Sequence, residues 1–225
     1  IGPEVVKGIE LNPYAAELAR VSVWIGEIQW MLFNGFAASQ NPILKPLETI
    51  ECRDALMTWQ PGESEGEGGQ WIEAEWPKAD AIIGNPPFLG GKIMRSDLGD
   101  EVVDRLFKIY RSRVAPEADL VVYWLTKAAE AIRSKNATRA GLVTTNSIRA
   151  GASRRVLDGI ANDIGIIAAW ADEPWTVEGA AVRVSLVVFG QPVEGELRKL
   201  AGQVVERINA DLTSRTIDIT QARPL

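Results

Sequence analysis

The sequence contains no histidine and a single cysteine, Cys52. Without an imidazole the chain has no histidine general base or histidine metal ligand, which excludes serine and cysteine triads and most zinc hydrolases. One cysteine cannot form an internal disulfide or a multi-cysteine zinc site, so we expect no metal site. This cysteine usage is typical of a reducing compartment. We therefore expect a cytoplasmic protein whose chemistry uses other groups.

Long hydrophobic runs are also missing. The apolar stretch 182–189 is interrupted by Arg183 and Ser185, and it falls far short of the roughly 20 residues that a membrane helix needs. We find no signal peptide at the first residues. With 225 residues, 46% of them hydrophobic, the chain is long enough for one domain with a substantial core. These features predict a soluble globular domain that does not contact a membrane.

Positive charge is scarce, since 24 Lys and Arg residues face 30 Asp and Glu residues and give a formal net charge of −6. Nonspecific nucleic-acid binding relies on clustered Lys and Arg, so this balance argues against such a surface. The acidic excess is concentrated in one glycine-containing stretch, at Glu63, Glu65, Glu67, Glu73 and Glu75. A run of this kind indicates a solvated loop.

Strand and helix patterns alternate along the chain. The strands are predicted at 5–11, 49–52, 79–84, 140–145, 164–170 and 182–189, and the helices at 13–33, 98–114, 118–133 and 149–161. Asn12 and Pro13 form a good helix start, with Asn as the cap and Pro at the first position, and the helix that follows is expected to be well buried. Alternating elements with continuous apolar strands predict a doubly wound α/β sheet.

The most informative segment is Asn85-Pro86-Pro87-Phe88, which follows the apolar strand 79–84. Apart from Asp80 near its start, this strand is apolar on both faces, as expected of a buried central parallel strand. In an open α/β sheet, ligands bind outside the carboxyl ends of the strands. Two prolines stiffen the loop and remove two backbone donors. The loop therefore presents a side-chain amide, free carbonyls and an aromatic ring on a short rigid segment, which favours a functional role.

Two carboxylates occupy the corresponding positions after the first two predicted strands. Glu10 is suited to accept hydrogen bonds from ribose hydroxyls, because a carboxylate is a strong acceptor. An acid before Asn-Pro is equally explained as a helix-start charge favoured by the helix dipole. Asp54 is suited to accept a hydrogen bond from an adenine amine, although a cap on the turn after Cys52 is the simpler interpretation.

The Asn85–Phe88 segment resembles the catalytic motif of amino-methyltransferases that use S-adenosylmethionine, in particular the adenine-N6 DNA methyltransferases of the gamma order. Three more segments resemble motifs of this family. They are 8–13, which reads GIELNP, 53–55, which reads RDA, and 141–147, which reads GLVTTNS. The sequence is most similar to the large single-chain restriction-modification methylases, and the resemblance extends from Val5 to about Arg223. It implies a Rossmann-like class I methyltransferase sheet with a late antiparallel strand.

The resemblance also implies a mechanism. The Asn85 side-chain oxygen and the Pro86 carbonyl would accept the two N–H bonds of the target adenine amine, which then attacks the sulfonium methyl group of S-adenosylmethionine in line. Positioning and electrostatics carry such a reaction without histidine. Phe88 would stack on the adenine, which is swung out of double-stranded DNA to reach the pocket. The implied catalytic set is Asn85 with Pro86, Pro87 and Phe88, and the implied cofactor set is Glu10, Asp54 and Asn85.

Four further residues are weaker candidates. Lys92 and Arg95 follow the loop and are candidates for contacts to DNA phosphates, although exposed basic residues are usually just solvated. Trp175 precedes the last predicted strand and is a candidate wall of the base pocket, although a buried Trp is more often part of a core. Asp119 opens a helix and is most simply read as its cap.

Two parts of the family pattern are missing from the chain. The glycine-rich first strand is expected just before Ile1, so we expect the sheet to be incomplete, with the strands from Val5 and Ala79 flanking a gap. A target-recognition domain is expected beyond Leu225, with residues 1–208 forming the partial catalytic core and 209–225 an exit linker. A nuclease domain is a further candidate among the missing segments of the parent protein. We expect this chain by itself to bind S-adenosylmethionine poorly and to be inactive.

Other functions remain open on the sequence alone. Similar Asn-Pro-Pro-aromatic loops methylate cytosine N4, adenine in ribosomal RNA, or glutamine amides in proteins. The protein and RNA enzymes are usually compact, without long insertions like those at 60–77 and 89–114 here. A noncatalytic module that keeps the fold for assembly is the third possibility, and the intact Asn85 loop disfavours it. The leading interpretation is a DNA adenine-N6 methyltransferase that acts in restriction-modification or phage defence.

Overall fold

The computed structural model describes residues 2–36, 46–62, 68–177 and 180–214. The chain divides into two compact units, Ile1–Pro77 and Lys78–Leu225. The central part of the predicted acidic loop, 63–67, lies outside the described residues, as does 215–225 in the predicted linker. Each unit is described by itself below.

Unit 1 contains one long helix and two pairs of short strands. Its elements are a 3-10 turn at Pro3–Val5, β1 at Gly8–Glu10, α1 at Pro13–Phe33, β2 at Ile50–Cys52, β3 at Met57–Gln60 and β4 at Gln70–Glu73. β1 and β2 pair in parallel, with Glu10 opposite Cys52. β3 and β4 form an antiparallel pair in which Trp59 and Trp71 face each other edge to face. The sequence does not predict β3 and β4.

Helix α1 has the predicted bounds but not the predicted burial. Asn12 caps it, since its side-chain oxygen accepts hydrogen bonds from the backbone N–H groups of Tyr14 (2.9 Å) and Ala15 (3.3 Å). However, Ala16 is the one described residue of α1 that is fully buried, and Val21 and Ile25 are exposed. The expectation of a well buried helix is wrong, because α1 lies mainly against the small β1–β2 pair, which is too short to cover a 21-residue helix.

Unit 2 is built on a six-stranded sheet. Its strands are β5 at Ala81–Gly84, β6 at Arg139–Thr145, β7 at Ile166–Val177, β8 at Ala180–Gly190, β9 at Arg198–Leu200 and β10 at Gln203–Val205; its helices are α2 at Met94–Leu98, α3 at Asp100–Tyr110, α4 at Val121–Arg133 and α5 at Gly151–Gly159. A 3-10 turn at Asn146–Arg149 precedes α5 and a π turn at Ile160–Ile164 follows it.

The strand order is β10-β9-β7-β8-β6-β5. β5 and β6 are parallel, whereas β8 runs antiparallel to both β6 and β7. The predicted α/β fold class with a late antiparallel strand is confirmed. The buried core includes Tyr110, Tyr123, Leu125, Leu157 and Phe189.

Strand β5 lies at the end of this sheet and is more exposed than the sequence predicts. Its residues alternate between exposed and half-buried, and Ile83 is 89% exposed. The expectation of a buried central strand is therefore wrong for this structure. The reason is that, within the described residues, β5 has a hydrogen-bonded neighbour on one side only, which is β6.

The helix predicted at 98–114 is present as α3, Asp100–Tyr110, and a short helix that the sequence did not predict, α2 at Met94–Leu98, precedes it. Gly99 has a φ of +85° and separates α2 from α3. A positive φ is readily adopted by glycine and rarely by other residues, so this position ends one helix and starts the next. The helices predicted at 118–133 and 149–161 are both present, with later starts at Val121 and Gly151.

The backbone of the loop after β5 contacts the backbone just before α4. The backbone N–H of Leu120 donates to the Leu89 carbonyl oxygen at 2.9 Å. A Cβ atom on Gly91 would lie 2.6 Å from the Glu117 carbonyl oxygen and 3.0 Å from that of Ala118. The absence of a side chain at Gly91 is thus what allows the loop to approach this backbone.

The folded part of unit 2 continues to the last described residue, 214. Ile208, Ala210 and Leu212 are buried, and the Arg149 guanidinium donates to the Asp211 carbonyl oxygen at 2.8 Å. The first residues of the predicted linker therefore pack with unit 2, and the linker beyond them stays a prediction. Among the described helices, none has the length and apolar character needed to cross a membrane.

Removal of the Tyr123 hydroxyl is expected to stabilise the protein. This group is fully buried and makes no hydrogen bond to a described residue, and burial raises the pKa of the phenol above its ordinary value. Because an unsatisfied buried hydroxyl destabilises the folded state, Tyr123→Phe should raise the free energy of unfolding by about 1 kcal/mol in chemical denaturation. Leu125→Ala on the same helix serves as the control and should lower it by about 2–5 kcal/mol. A destabilised Tyr123→Phe variant would show that the hydroxyl has a partner.

Gly90 and Gly91 are expected to differ sharply in their tolerance of alanine. Gly91→Ala should lower the free energy of unfolding by about 1–3 kcal/mol, because its Cβ meets backbone atoms that cannot move aside. Gly90→Ala is the matched control, since its Cβ would lie 3.7 Å from the nearest atom, Oδ1 of Asp119, and a change below about 1 kcal/mol is expected. Equal stability of the two variants in thermal and chemical denaturation would contradict the close approach at Gly91.

Candidate active site

The Asn85–Phe88 loop starts at the carboxyl end of β5, beside β6. Gly84 is in register with Leu142, and a Cβ on Gly84 would lie 3.0 Å from a Leu142 methyl group. Along the loop, Asn85 is exposed, Pro86 is buried and Phe88 is half-buried. The buried Pro86 holds the loop against unit 2 and leaves Asn85 facing outward.

Two acceptors on this loop are unoccupied within the described part of the chain. No described group donates to the side-chain oxygen of Asn85 or to the carbonyl oxygen of Pro86. The ring of Phe88 has no aromatic neighbour among the described residues. An amide oxygen, a carbonyl oxygen and an aromatic face within one four-residue loop can together receive a flat molecule that carries an amino group.

Asp119 connects the loop after β5 with the end of β6. Its Oδ1 accepts a hydrogen bond from the Gly91 N–H at 3.1 Å, and its Oδ2 accepts from the hydroxyls of Thr145 (3.2 Å) and Ser147. Its own N–H donates to the Ser153 hydroxyl oxygen at 3.2 Å. The interpretation of Asp119 as a helix cap is wrong, since the carboxylate accepts bonds from other segments and α4 starts without a side-chain cap.

A second polar cluster lies just beyond the end of β6. The Arg183 guanidinium donates to both carboxylate oxygens of Asp172, at 2.8 Å and 2.7 Å, and the Asn146 amide donates to one of them at 3.1 Å. The Asn146 oxygen in turn accepts from Arg149 (3.2 Å) and Ser185 (3.3 Å). The hydrogen bond from Arg183 lowers the pKa of Asp172 below its ordinary value. A carboxylate with a lowered pKa is a weaker base, and here both oxygens of Asp172 serve as hydrogen-bond acceptors.

Trp175 lies on a two-stranded ribbon that extends past β6. β6 ends with Thr145 in register with Val184, whereas Trp175 pairs with Val182, two residues further on. Trp175 is 39% exposed, so it is not a core residue. The ribbon extends past the end of β6 that Asp119 contacts through Thr145, and the role of Trp175 in a base pocket stays a prediction.

The two basic residues after the loop have different surroundings. Lys92 is exposed and has no ion pair with a described residue. Arg95 forms ion pairs with Asp100 (3.0 Å) and Asp104 (2.7 Å), and its guanidinium lies 5.5 Å from the centre of the Phe107 ring. Hydrogen bonds to Asp104 and Asp100 raise the pKa of Arg95. Arg95 thus joins α2 to α3, and the DNA contacts of both residues stay predictions.

In unit 1, Glu10 and Asp54 lie at the same edge of the β1–β2 pair. The backbone N–H of Arg53 donates to the Glu10 carbonyl oxygen at 3.0 Å, which ties the ends of the two strands together. One oxygen of Glu10 accepts from the Asn12 N–H at 2.8 Å, and one oxygen of Asp54 accepts from the N–H groups of Leu56 (2.6 Å) and Met57 (3.2 Å).

These hydrogen bonds are the ones that the simpler interpretations of Glu10 and Asp54 predict. Glu10 supports the start of α1, and Asp54 caps the turn before β3. The second oxygen of each carboxylate accepts no bond from a described group. Because a carboxylate has two oxygens and about four lone-pair sites, the local role and a ligand role are compatible in both residues.

The sequence did not predict the roles of Asp119, Asn146, Asp172 and Arg183. Asp119 and Ser147 are 28 positions apart, and Arg183 is 11 positions from Asp172. The signal that was present is the position of Thr145, Asn146 and Ser147 at the end of an apolar strand, which is the same edge of the sheet as that of Asn85. The described residues contain no group of three or more His, Cys, Asp or Glu that is arranged to hold a metal ion.

The chain is similar to known proteins in sequence and in structure. The family model described as MmeI, DNA-methyltransferase domain, matches residues 1–201. DNA methyltransferase A of Bacillus subtilis (strain 168) is 27% identical over 205 residues, which are 85% of this chain and 21% of that protein. The structure of the Type IIL restriction-modification enzyme MmeI in complex with DNA matches with a TM-score of 0.65 and 22% identity, over 95% of this chain and 29% of that chain.

The chain thus spans 21% and 29% of the lengths of the two proteins that it matches. At 22% identity the match to the solved structure establishes the fold, and it agrees with the mixed sheet described above. The match of the family model covers most of the chain, including Glu10 and Asp54 of unit 1 and the Asn85–Phe88 loop of unit 2. The chain belongs to the MmeI family of DNA-methyltransferase domains.

Proposed function

We propose that this chain is the catalytic region of an adenine-specific DNA methyltransferase that transfers a methyl group from S-adenosylmethionine to the N6 amine of an adenine in double-stranded DNA. The observation that carries this proposal is the pair of unoccupied acceptors on Asn85 and Pro86 at the end of β5. Two adjacent acceptors match the two N–H bonds of an exocyclic amine. The family membership supports DNA as the substrate.

The chemical difficulty of the reaction lies in the amine. Its lone pair is delocalised into the adenine ring, which makes the nitrogen a poor nucleophile. When the Asn85 side-chain oxygen and the Pro86 carbonyl oxygen accept its two N–H bonds, the nitrogen moves toward tetrahedral geometry and its lone pair becomes localised. Preorganised acceptors of this kind act by electrostatics and positioning, which agrees with the absence of histidine. Pro87 keeps the loop rigid behind these two residues.

Phe88 is proposed to stack on the target base. A base inside a duplex cannot reach the Asn85 loop, so the adenine is flipped out of the helix and held against an aromatic face. The half-buried position of Phe88, with no described aromatic neighbour, leaves its ring available for this contact. Trp175 is proposed as a second wall of the base pocket, and Lys92 and Arg95 as contacts to the DNA backbone.

The carboxylates of unit 1 fit the adenosine part of S-adenosylmethionine. We assign Glu10 to the ribose hydroxyls and Asp54 to the adenine amine, because each has one oxygen without a described partner and both lie at the carboxyl edge of the β1–β2 pair. When bound, S-adenosylmethionine supplies an electrophilic methyl group on its sulfonium.

The wider role that we propose is in restriction-modification or phage defence.

Asn85→Ala in the full-length protein is expected to lower methyl transfer to duplex DNA by about 10²–10³-fold, because it removes one of the two acceptors on the amine. Transfer of a labelled methyl group is the measurement, and chromatography of the digested nucleosides identifies the modified base. Asn136→Ala is the matched control, since Asn136 is an exposed asparagine of unit 2 whose side chain has no described partner, and it should keep wild-type activity.

Each result of this experiment points to one function. N6-methyladenine in DNA, lost in Asn85→Ala while the variant stays folded, supports the proposal. N4-methylcytosine would change the base, and labelled RNA or protein without labelled DNA would change the acceptor class. A wild-type protein that labels none of these acceptors would favour an assembly module instead.

The isolated chain is expected to bind S-adenosylmethionine poorly. We base this on the sequence pattern, in which the glycine-rich first strand of the family is not found within these 225 residues. Titration calorimetry with the isolated chain is expected to show no binding in the micromolar range. Micromolar binding would contradict this prediction and would assign the whole cofactor site to these residues.

A further inference from the structure

We propose that Asp119 is a positioning residue that holds the Asn85–Phe88 loop in place through the segment that follows it, Leu89 to Gly91. The inference rests on the proposed function, because that function uses the loop for catalysis. Asp119 itself is assigned no contact with substrate. Its role is to join the loop to the end of β6, so that the two acceptors on the loop have a fixed position.

The backbone of the loop has few anchors of its own. Pro86 and Pro87 have no N–H group. Among the remaining N–H groups from Asn85 to Gly91, that of Gly91 is the one that donates to a described residue, and its acceptor is Oδ1 of Asp119, at 3.1 Å. The carboxylate of Asp119 thus holds the single described N–H anchor of the segment that contains the candidate catalytic groups.

The two oxygens of Asp119 serve different partners. Oδ1 accepts from the Gly91 N–H, whereas Oδ2 accepts from the Thr145 hydroxyl (3.2 Å) and the Ser147 hydroxyl. A carboxylate accepts at both oxygens and donates at neither when it is charged, so it can join three donors from two segments. Hydrogen bonds to a charged acceptor are stronger than those between neutral groups. Asp119 therefore bridges the loop and the strand end at one point.

Asp119 is itself held in place by hydrogen bonds of its own N–H group and of the N–H group that follows it. The Asp119 N–H donates to the Ser153 hydroxyl oxygen of α5 at 3.2 Å, and the next N–H, that of Leu120, donates to the Leu89 carbonyl oxygen at 2.9 Å. Gly91 fits against the Glu117 and Ala118 carbonyls with no room for a side chain. These contacts fix the carboxylate before any substrate binds, which is the property that a positioning residue requires.

The first experiment compares Asp119→Ala and Asp119→Asn in the full-length protein. Asp119→Ala should lower kcat for DNA methylation by about 10–100-fold through a misplaced loop, with KM for DNA and for S-adenosylmethionine within about twofold of the wild type. Asp119→Asn should restore most of the lost activity, because its side-chain oxygen can still accept from Gly91 and its amide can donate to the hydroxyls of Thr145 and Ser147. An increase in either KM with kcat unchanged would overturn the proposal.

The second measurement does not depend on activity. Hydrogen exchange of the segment 88–91 should be faster in Asp119→Ala than in the wild type and near the wild-type rate in Asp119→Asn. Asp163→Ala is the matched control, since the Asp163 carboxylate accepts two hydrogen bonds from Arg133 at the other end of α4. This variant should leave kcat and the exchange of 88–91 unchanged. Equal exchange in wild type and Asp119→Ala would overturn the proposal.

Two further variants test the bridge from the side of β6 and serve in place of Asp119→Ala should it fail to fold. Thr145→Val and Ser147→Ala each remove one donor to Oδ2, and each should lower kcat by a smaller factor with KM unchanged. Wild-type kcat in both would contradict the bridge. The outcome is separate from that of the proposed function: if Asn85→Ala kept full activity, the proposed function would fail, whereas hydrogen exchange would still test the anchor.

Discussion

The parallel pairing of β5 with β6 is the interaction on which the candidate site depends. It places the start of the Asn85–Phe88 loop beside the end of a strand that is itself held by β8. Because β5 has this one described neighbour, the position of the loop is set from the β6 side. The tight contact between Gly84 and Leu142, and the bridge from Asp119 to Thr145 and Ser147, both act along this same side.

Polar contacts replace hydrophobic burial at this edge of the sheet. At the end of β6 the hydroxyls of Thr145 and Ser147 donate to the Asp119 carboxylate. The Asn146 amide donates to the Asp172 carboxylate, and the Asn146 oxygen accepts from the Ser185 hydroxyl. Each carboxylate joins segments that are distant in the sequence, so the arrangement fixes side chains in direction as well as in position. Hydrophobic contacts are not directional and cannot do this. Apolar contacts hold the strands, and directional polar contacts hold the strand ends. A site with fixed acceptors requires this combination.

Much of the fold could be predicted from local sequence patterns, and each prediction that failed has a physical reason. The bounds of α1 were predictable because Asn12 and Pro13 encode a helix start in two residues. The burial of α1 was not predictable, because an apolar pattern shows that a helix is hydrophobic but does not show how large the element is that packs against it. The same reason explains the exposed Ile83. The β3–β4 pair was missed because its pairing depends on Trp59 meeting Trp71 across an acid-rich segment. For the site, the sequence could mark strand ends such as Asn85, but not the bridge from Asp119, whose partners are set by tertiary structure.

The two prolines have a consequence for the unpaired edge of β5. A strand edge with free N–H and C=O groups and an exposed apolar side chain such as Ile83 is a template for pairing with another chain, and such pairing leads to aggregation. β5 has four residues, and Pro86 and Pro87 follow one residue after its end. Because proline cannot donate to a ladder, the template stops there. The residues that stiffen the loop therefore also limit how far a second molecule can extend the sheet along this edge.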